Sequence, residues 1–225
     1  MSGPVRAVLL DALGTLVELA PPAPRLRRAL EARTGIDVGV EAAERGFAAE
    51  ISHYLANHMR AGDAAGLERL RDDCAEAMRA AIGRDDLDHA TVRAAMLEAL
   101  EFVPFDDVRP ALTALRERGL RLVVVSNWDC SLPRWLDRAG VGELVDGAVS
   151  SAVVGAAKPA PAVFEAGLEL AGCAAAEAVH VGDSPENDVE GARAAGLRAV
   201  LVQRKGEPPP GVETVRSLAE LSSIV

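Results

Sequence analysis

The stretch Ala178-Val179-His180-Val181-Gly182-Asp183-Ser184-Pro185-Glu186-Asn187-Asp188 passes from strand to loop to helix. Ala178 to Val181 is a short run of the kind that forms a fully buried strand. Gly182-Asp183 ends it. Residues 187–195 have helical texture with Gly196 as a stop, and residues 197–202 read as the next strand. Asp183 and Asp188 therefore straddle a loop and a helix start. Hard carboxylate oxygens so placed suit Mg²⁺, which keeps several waters and takes only a few carboxylates. The plainer role for Asp188 is a charge at a helix N-terminus.

The same grammar repeats outward. Leu120-Arg121-Leu122-Val123-Val124-Val125 is a β-branched run ending at Ser126-Asn127, after a helix over 108–118 that Gly119 stops. A helix at about 131–139 ends at Gly140, a short strand follows near 146–150, and 161–171 is helical. Val5 to Leu10 is a first strand ending at Asp11 and broken by Gly14-Thr15. The prolines at 208–210 mark a surface loop, and 216–224 is expected to be a last helix. Alternating strands and helices predict an α/β fold with a doubly wound parallel sheet covered on both faces. Ligands of such sheets bind outside the carboxyl ends of the strands. Asp11, Ser126 and Asp183 are thus expected on one edge.

Between the first strand and the rest lies a different texture, rich in Ala, Arg, Glu and Leu. Helices are expected near 23–34, 41–58, 66–82 and 89–101, with Gly35, Gly62 and Gly83 at the breaks. The expected organisation is a core domain of residues 1–17 and 104–225 and an inserted α-helical cap of residues 18–103, a lid on the same sheet edge.

Composition narrows the function classes. The hydrophobic fraction is 49%, too high for a disordered chain. Aromatics are 3%, which argues against base stacking, and the net charge of −10 argues against nucleic acid. Cys74, Cys130 and Cys173 are odd in number and far apart, so they are read as small hydrophobes in a reducing compartment. The N-terminus lacks a basic start and a long apolar stretch, and no apolar run reaches the ~20 residues of a membrane helix. The expectation is a cytoplasmic protein, a monomer or weak homodimer, without membrane or nucleic-acid partners.

Three further pieces carry chemistry. Asp11-Ala12-Leu13-Gly14-Thr15 puts a carboxylate at a strand end before a tight turn, where Asp can act as a nucleophile; a turn aspartate is the bland reading. Ser126-Asn127 offers a hydroxyl beside backbone N–H groups that suit a phosphate oxygen, or simply a strand-to-helix turn. Lys158-Pro159-Ala160-Pro161 sets one lysine in a Gly/Ala/Pro loop, where it can neutralise anionic charge or be a lone surface cation.

In this order, the four pieces resemble the four motifs of the haloacid dehalogenase superfamily. The inserted helical segment resembles the subfamily with a cap after the first motif, and the resemblance covers essentially the whole chain. It implies a Rossmann-like core and a Mg²⁺-dependent phosphatase acting on a small phosphorylated metabolite through an aspartyl phosphate. Asp11 resembles the nucleophile, Thr15 a residue supporting its loop, and Ser126, Asn127 and Lys158 the phosphate binders. Asp11, Asp183 and Asp188 resemble the acids around Mg²⁺, with the backbone carbonyl of Leu13 beside them.

One position departs. Phosphatases of this family usually carry a second Asp two residues after the nucleophile, and here Leu13 stands there. Loss of a general acid/base typically costs ~10²–10⁴ in rate. Asp129, in Ser126-Asn127-Trp128-Asp129, is a candidate proton carrier; the bland reading is a helix cap. Haloacid dehalogenases also lack the second acid, but they carry serine where Asp183 stands and tend to have tyrosine where Phe164 stands. A non-catalytic ligand- or protein-binding member is the other alternative. His53 and Tyr54, clustered with His58 and Arg60, are read as ligand contacts or as cap packing, with packing favoured. Arg25, Arg27 and Arg28 are read as a solvated face, Trp128 and Trp135 as packing residues, and His180 as a satisfied core histidine.

Overall fold

The computed structural model describes residues 4–225. Residues 1–3, part of the expected core segment 1–17, lie outside the described residues. The chain divides into two compact units, Met1–Glu18 with Val103–Val225, and Leu19–Phe102.

The first unit opens with β1 (Ala7–Leu10), and β2 (Val17–Leu19) follows its loop. The second unit holds α1 (Pro22–Thr34), α2 (Val40–Asn57), α3 (Ala64–Ile82) and α4 (His89–Ala99). The chain then runs through β3 (Phe102–Pro104), α5 (Val108–Glu117), β4 (Arg121–Ser126), α6 (Leu132–Arg138) and β5 (Gly147–Ser150). After these come α7 (Ser151–Val154), α8 (Pro161–Ala171), β6 (Ala178–Gly182), α9 (Gly191–Ala194), β7 (Arg198–Val202) and β8 (Thr214–Val215).

In the helical unit, Asp63 and Asp88 cap α3 and α4 by accepting from the N–H groups of Gly66 and Thr91. The apolar faces of the four helices meet through Leu26, Leu30, Phe47, Met78, Ile82 and Met96. One inward position is charged: Glu50 on α2 is buried, with Cys74 as hydrogen-bond partner. Burial pushes its carboxyl up to about 7.

In the other unit, six parallel strands order as β5-β4-β1-β6-β7-β8. This is the doubly wound α/β sheet expected from the alternating pattern. β1 lies between β4 and β6, with Leu10 opposite both Val124 and Val181. The chain adds β4 and β5 on one side of β1 and then crosses to add β6, β7 and β8 on the other, and such a reversal of strand order places a crevice at the carboxyl end of β1. Leu9, Val123, Val125, Phe164 and Leu201 build one side of the core, largely aliphatic as the scarcity of aromatics requires.

Several local expectations are corrected. The segment expected as a helix over 216–224 is a 3₁₀ helix, Leu218–Ser223, capped by Ser217. The helix expected over 187–195 begins earlier, as a π-helical turn from Pro185 to Glu190 that narrows into α9. There Asp188 N–H and Val189 N–H both reach back to the Ser184 carbonyl, at 2.9 and 3.2 Å. The helix expected to run to 101 stops at Ala99, and β2, β3, β8 and α7 were not foreseen. Each of these pieces is too short to carry a period of its own; partners in space define them.

Candidate active site

The sheet brings together the ends of three adjacent strands. Asp11 follows β1, Ser126 closes β4 and Asp183 follows β6. Asp11 continues the β1–β6 ladder by one bond, its N–H donating to Val181 at 2.9 Å.

Asp11 is buried and its Oδ1 accepts from two side chains, the Lys158 ammonium at 2.5 Å and the Ser126 hydroxyl at 3.0 Å. Lys158 reaches Asp188 Oδ1 with the same ammonium at 2.6 Å. Asp188 Oδ2 accepts from the Ser184 N–H at 2.9 Å. Asp11, Asp183 and Asp188 each offer an oxygen, and these lie within 4.8 Å of one another. Three hard oxygens at that spacing are a donor set that fits a hard divalent cation.

Electrostatics follows the packing. Burial, opposed by Lys158 and reinforced by Asp188, holds the Asp11 carboxyl above its usual range. Burial acts against the charge on Lys158, but the attraction of Asp11 and Asp188 outweighs it and keeps the ammonium protonated. Burial would likewise raise Asp188, yet Lys158 and His180 hold it well below the usual carboxylate range. Asp183 is pushed up to about 6 by the protein packed around it and by the charges of Asp11 and Asp188. Its outer face meets solvent, which screens part of that repulsion.

Two glycines make the carboxylate geometry possible. A Cβ on Gly14, which sits at φ 87°, would overlap the Asp183 carboxylate, and a Cβ on Gly182 would overlap that of Asp188. The turn after Asp11 closes through Gly14 N–H to the Val17 carbonyl at 2.8 Å and leaves the Leu13 side chain 46% exposed. Thr15 is fully buried, and its Oγ1 has no hydrogen-bond partner among the described residues.

Asn127 is engaged differently from a bare phosphate ligand. Its Oδ1 accepts from the Lys158 backbone N–H at 2.7 Å and its Nδ2 donates to the Lys158 carbonyl at 3.0 Å. This amide pair fixes the loop that carries the lysine. Asp129 is buried, and its Oδ1 accepts from Ser131 N–H at 2.7 Å, an Asx-type turn that leads into α6, whose N-cap position is Ser131 and not Asp129. In the helical unit, the Tyr54 and His58 rings stack with centroids 5.6 Å apart, and the exposed Arg60 donates to Asn57 Oδ1.

One participant escaped the sequence reading and a second has a partner it did not name. Arg204, just past β7, donates to both oxygens of Asp107 and to the Thr15 carbonyl at 2.8 Å, with its guanidinium 3.8 Å above the Phe105 ring. No motif announced it. His180 is the buried, hydrogen-bonded histidine expected, but its partner was not foreseen: its Nε2 lies 2.8 Å from Oδ1 of the site residue Asp188. The only signal was a polar residue inside an apolar strand, which must find a partner.

Comparison with known proteins identifies the family. The chain is 40% identical over 123 residues to a phosphatase of Mycobacterium tuberculosis, a match covering 54% of this chain and 55% of that protein. The chain thus spans only about half the length of that relative. A glyceraldehyde 3-phosphate phosphatase of Methanopyrus kandleri is 31% identical over 209 residues, covering 89% of this chain and 84% of that one. Among solved structures, a HAD phosphatase from Thermococcus onnurineus superposes with a TM-score of 0.66 at 26% identity, covering 98% and 97% of the two chains. A 2-haloacid dehalogenase from Pseudomonas syringae shares the fold at 23% identity, with a TM-score of 0.68 and coverage of 98% and 97%. Residues 5–196 match the family model for haloacid dehalogenase-like hydrolases. With strand-end acids, a buried lysine between two of them and a model match over most of its length, the chain belongs to the haloacid dehalogenase-like hydrolases.

Proposed function

We propose that the protein is a Mg²⁺-dependent phosphatase acting on a small phosphorylated metabolite, with Asp11 as the nucleophile. The observation that carries this reading is the convergence of Asp11, Asp183 and Asp188 around one point beside the Lys158 ammonium. Relatives named as phosphatases support the same reaction class.

Asp11, Asp183, Asp188 and the backbone carbonyl of Leu13 would hold the cation. When bound, Mg²⁺ neutralises the repulsion between the acid cluster and an anionic substrate and polarises the phosphoryl group. An Asp11 oxygen attacks phosphorus in line as the bond to the leaving oxygen breaks, giving an aspartyl phosphate. Water then attacks that phosphorus, releasing inorganic phosphate and restoring the carboxylate. Lys158 and Ser126, already on Asp11 Oδ1, hold the nucleophile in one orientation and offer donors to the phosphoryl oxygens. Asn127 supports this by holding the Lys158 backbone and has a second Nδ2 proton to offer. Thr15 supports the loop from inside.

The proton needed by the leaving oxygen has no donor at Leu13. Substrates whose leaving group is stable as an anion, such as acyl or aryl phosphates, are therefore favoured. Asp129 is the candidate carrier for others, and an unchanged rate in Asp129→Asn would leave it only its role in the turn before α6. We read the helical unit as the cap that selects substrate, because the chain leaves the sheet immediately after the Asp11 loop. The acid at Asp183 and the Phe at 164 favour phosphate over a carbon–halogen substrate. We place the protein in the cytoplasm as a monomer or weak homodimer; no helix among the described residues is long and apolar enough to cross a membrane.

The test is a phosphatase panel of aryl, sugar, nucleotide and acyl phosphates, run with Mg²⁺, with EDTA and with Asp11→Asn. Turnover that disappears with EDTA and with Asp11→Asn is the expected result. Mg²⁺ binding without turnover of any member would favour the non-catalytic reading. Turnover of a 2-haloacid in EDTA would favour a dehalogenase.

A further inference from the structure

We propose that His180 is a positioning residue of the site, holding the Asp188 carboxylate in place from the rigid centre of the sheet. His180 sits in β6 between two strands, opposite Leu9 of β1 and Ala199 of β7, with its ring fully buried. A valine or leucine would fill such a position without any polar cost. The imidazole instead brings two nitrogens into an apolar layer. One of them, Nδ1, has no hydrogen-bond partner among the described residues. The other, Nε2, lies 2.8 Å from Asp188 Oδ1. A carboxylate only accepts, so the ring donates from Nε2. The edge of the Phe164 ring packs against the imidazole, with centroids 5.0 Å apart and planes at 89°, which limits its rotation.

Asp188 needs such a hold. Its backbone belongs to the π-helical turn and lies outside the sheet ladder. Its carboxylate lies against Gly182, on the strand face that His180 shares by alternation. Three donors fix that carboxylate: Lys158, the Ser184 N–H and His180. Lys158 is shared with Asp11, and an incoming anion competes for it. Ser184 caps the same π-helical turn that carries Asp188, four residues away. Among the described residues, His180 alone ties the carboxylate to a central strand. The same His–carboxylate pairing keeps Asp188 aimed while Lys158 changes partners. The link to cation binding rests on the Mg²⁺ reading above; the link to carboxylate geometry does not.

The experiment compares His180→Leu, which removes the donor, with His180→Gln, whose amide reaches a similar distance. Crystal structures of the metal-free variants report the Asp188 side chain, and calorimetric titration with Mg²⁺ reports affinity. The expected result is that Asp188 leaves its rotamer in His180→Leu and keeps it in His180→Gln. Mg²⁺ affinity is expected to fall about 10–100-fold in the first and recover in the second. If His180→Leu does not fold, His180→Asn, too short to reach Asp188, takes its place. An unmoved Asp188 with unchanged Mg²⁺ affinity would overturn the proposal. If the wild-type protein itself binds no Mg²⁺, the metal reading fails, and the position of Asp188 in the two crystal structures still decides the role of His180.

Discussion

The ammonium of Lys158 lies 2.5 Å from Oδ1 of Asp11, and both side chains are buried. Breaking a buried ion pair by removing one partner typically costs about 3–5 kcal/mol, since the remaining charge is left uncompensated. Here two carboxylates depend on one cation. Lys158→Met is expected to abolish turnover and to destabilise the metal-free protein at pH 8 by roughly that amount. Asp11→Asn combined with Lys158→Met should recover part of the loss, because one stranded charge is gone. Denaturant unfolding of the four proteins in the cycle measures the coupling. Equal stability of Lys158→Met and wild type would contradict it.

Leu13 leaves a gap in proton transfer that the substrate must cover. Wild-type turnover should fall steeply as the leaving group becomes more basic across a series of aryl and alkyl phosphates. Leu13→Asp restores a carboxyl at that position, on a side chain already 46% exposed. It is expected to flatten that dependence and to raise turnover of alkyl phosphates, by up to ~10²–10⁴. A slope unchanged by the substitution would mean that another group delivers the proton, and Asp129→Asn is then the variant to measure.

Glu50 gives the helical unit a pH dependence of its own. Its ordinary value is 4.5, and burial raises it to about 7 in the folded chain. Between those values the folded state holds a proton that the unfolded state has released. Its contribution is therefore full below pH 4.5, falls as pH rises towards 7 and levels off above. At 1.36 kcal/mol per unit, the whole effect is about 3 kcal/mol. Glu50→Gln should remove this decline and be more stable than wild type at pH 8, with little difference at pH 4.5. Melting curves of both proteins across pH 4.5–8 check it; parallel curves would contradict it.

Arg204 joins the loop after Asp11 to the start of α5. Its guanidinium grips Asp107 with two bonds, at 2.9 and 3.1 Å, and holds the Thr15 carbonyl at 2.8 Å. Asp107 also accepts from Ser217 Oγ and Leu218 N–H, tying in the C-terminal segment. Arg204→Met is expected to cost about 2–3 kcal/mol, a loss of charged hydrogen bonds and of the contact with Phe105. Asp107→Asn should cost a similar amount, and the double variant less than the two together. Strict additivity in urea unfolding would show that the two residues act separately.

What the sequence determined follows from short-range rules. Apolar runs ending in Gly, Asp or Ser marked β1, β4 and β6, and helix formers bounded by glycines marked α1 to α4. A parallel sheet then required the ends of those three strands to share an edge, so Asp11, Ser126 and Asp183 were legible as neighbours before any coordinates. Lys158 and Asp188 were legible by their order among the motifs.

The tertiary structure decided what each side chain is bonded to. Whether Asn127 grips the Lys158 backbone, whether His180 reaches Asp188 and whether Arg204 reaches Thr15 depend on contacts across 31, 8 and 189 positions of chain. The last of these has no local trace. The π-helical turn that aims Asp188 also had no signature, because a single wide turn carries no period. Sequence fixes which chemistry can be brought to the edge through backbone geometry that repeats every two or 3.6 residues. Hydrogen bonds between side chains from separate elements obey no such repeat, and only the packed fold sets them.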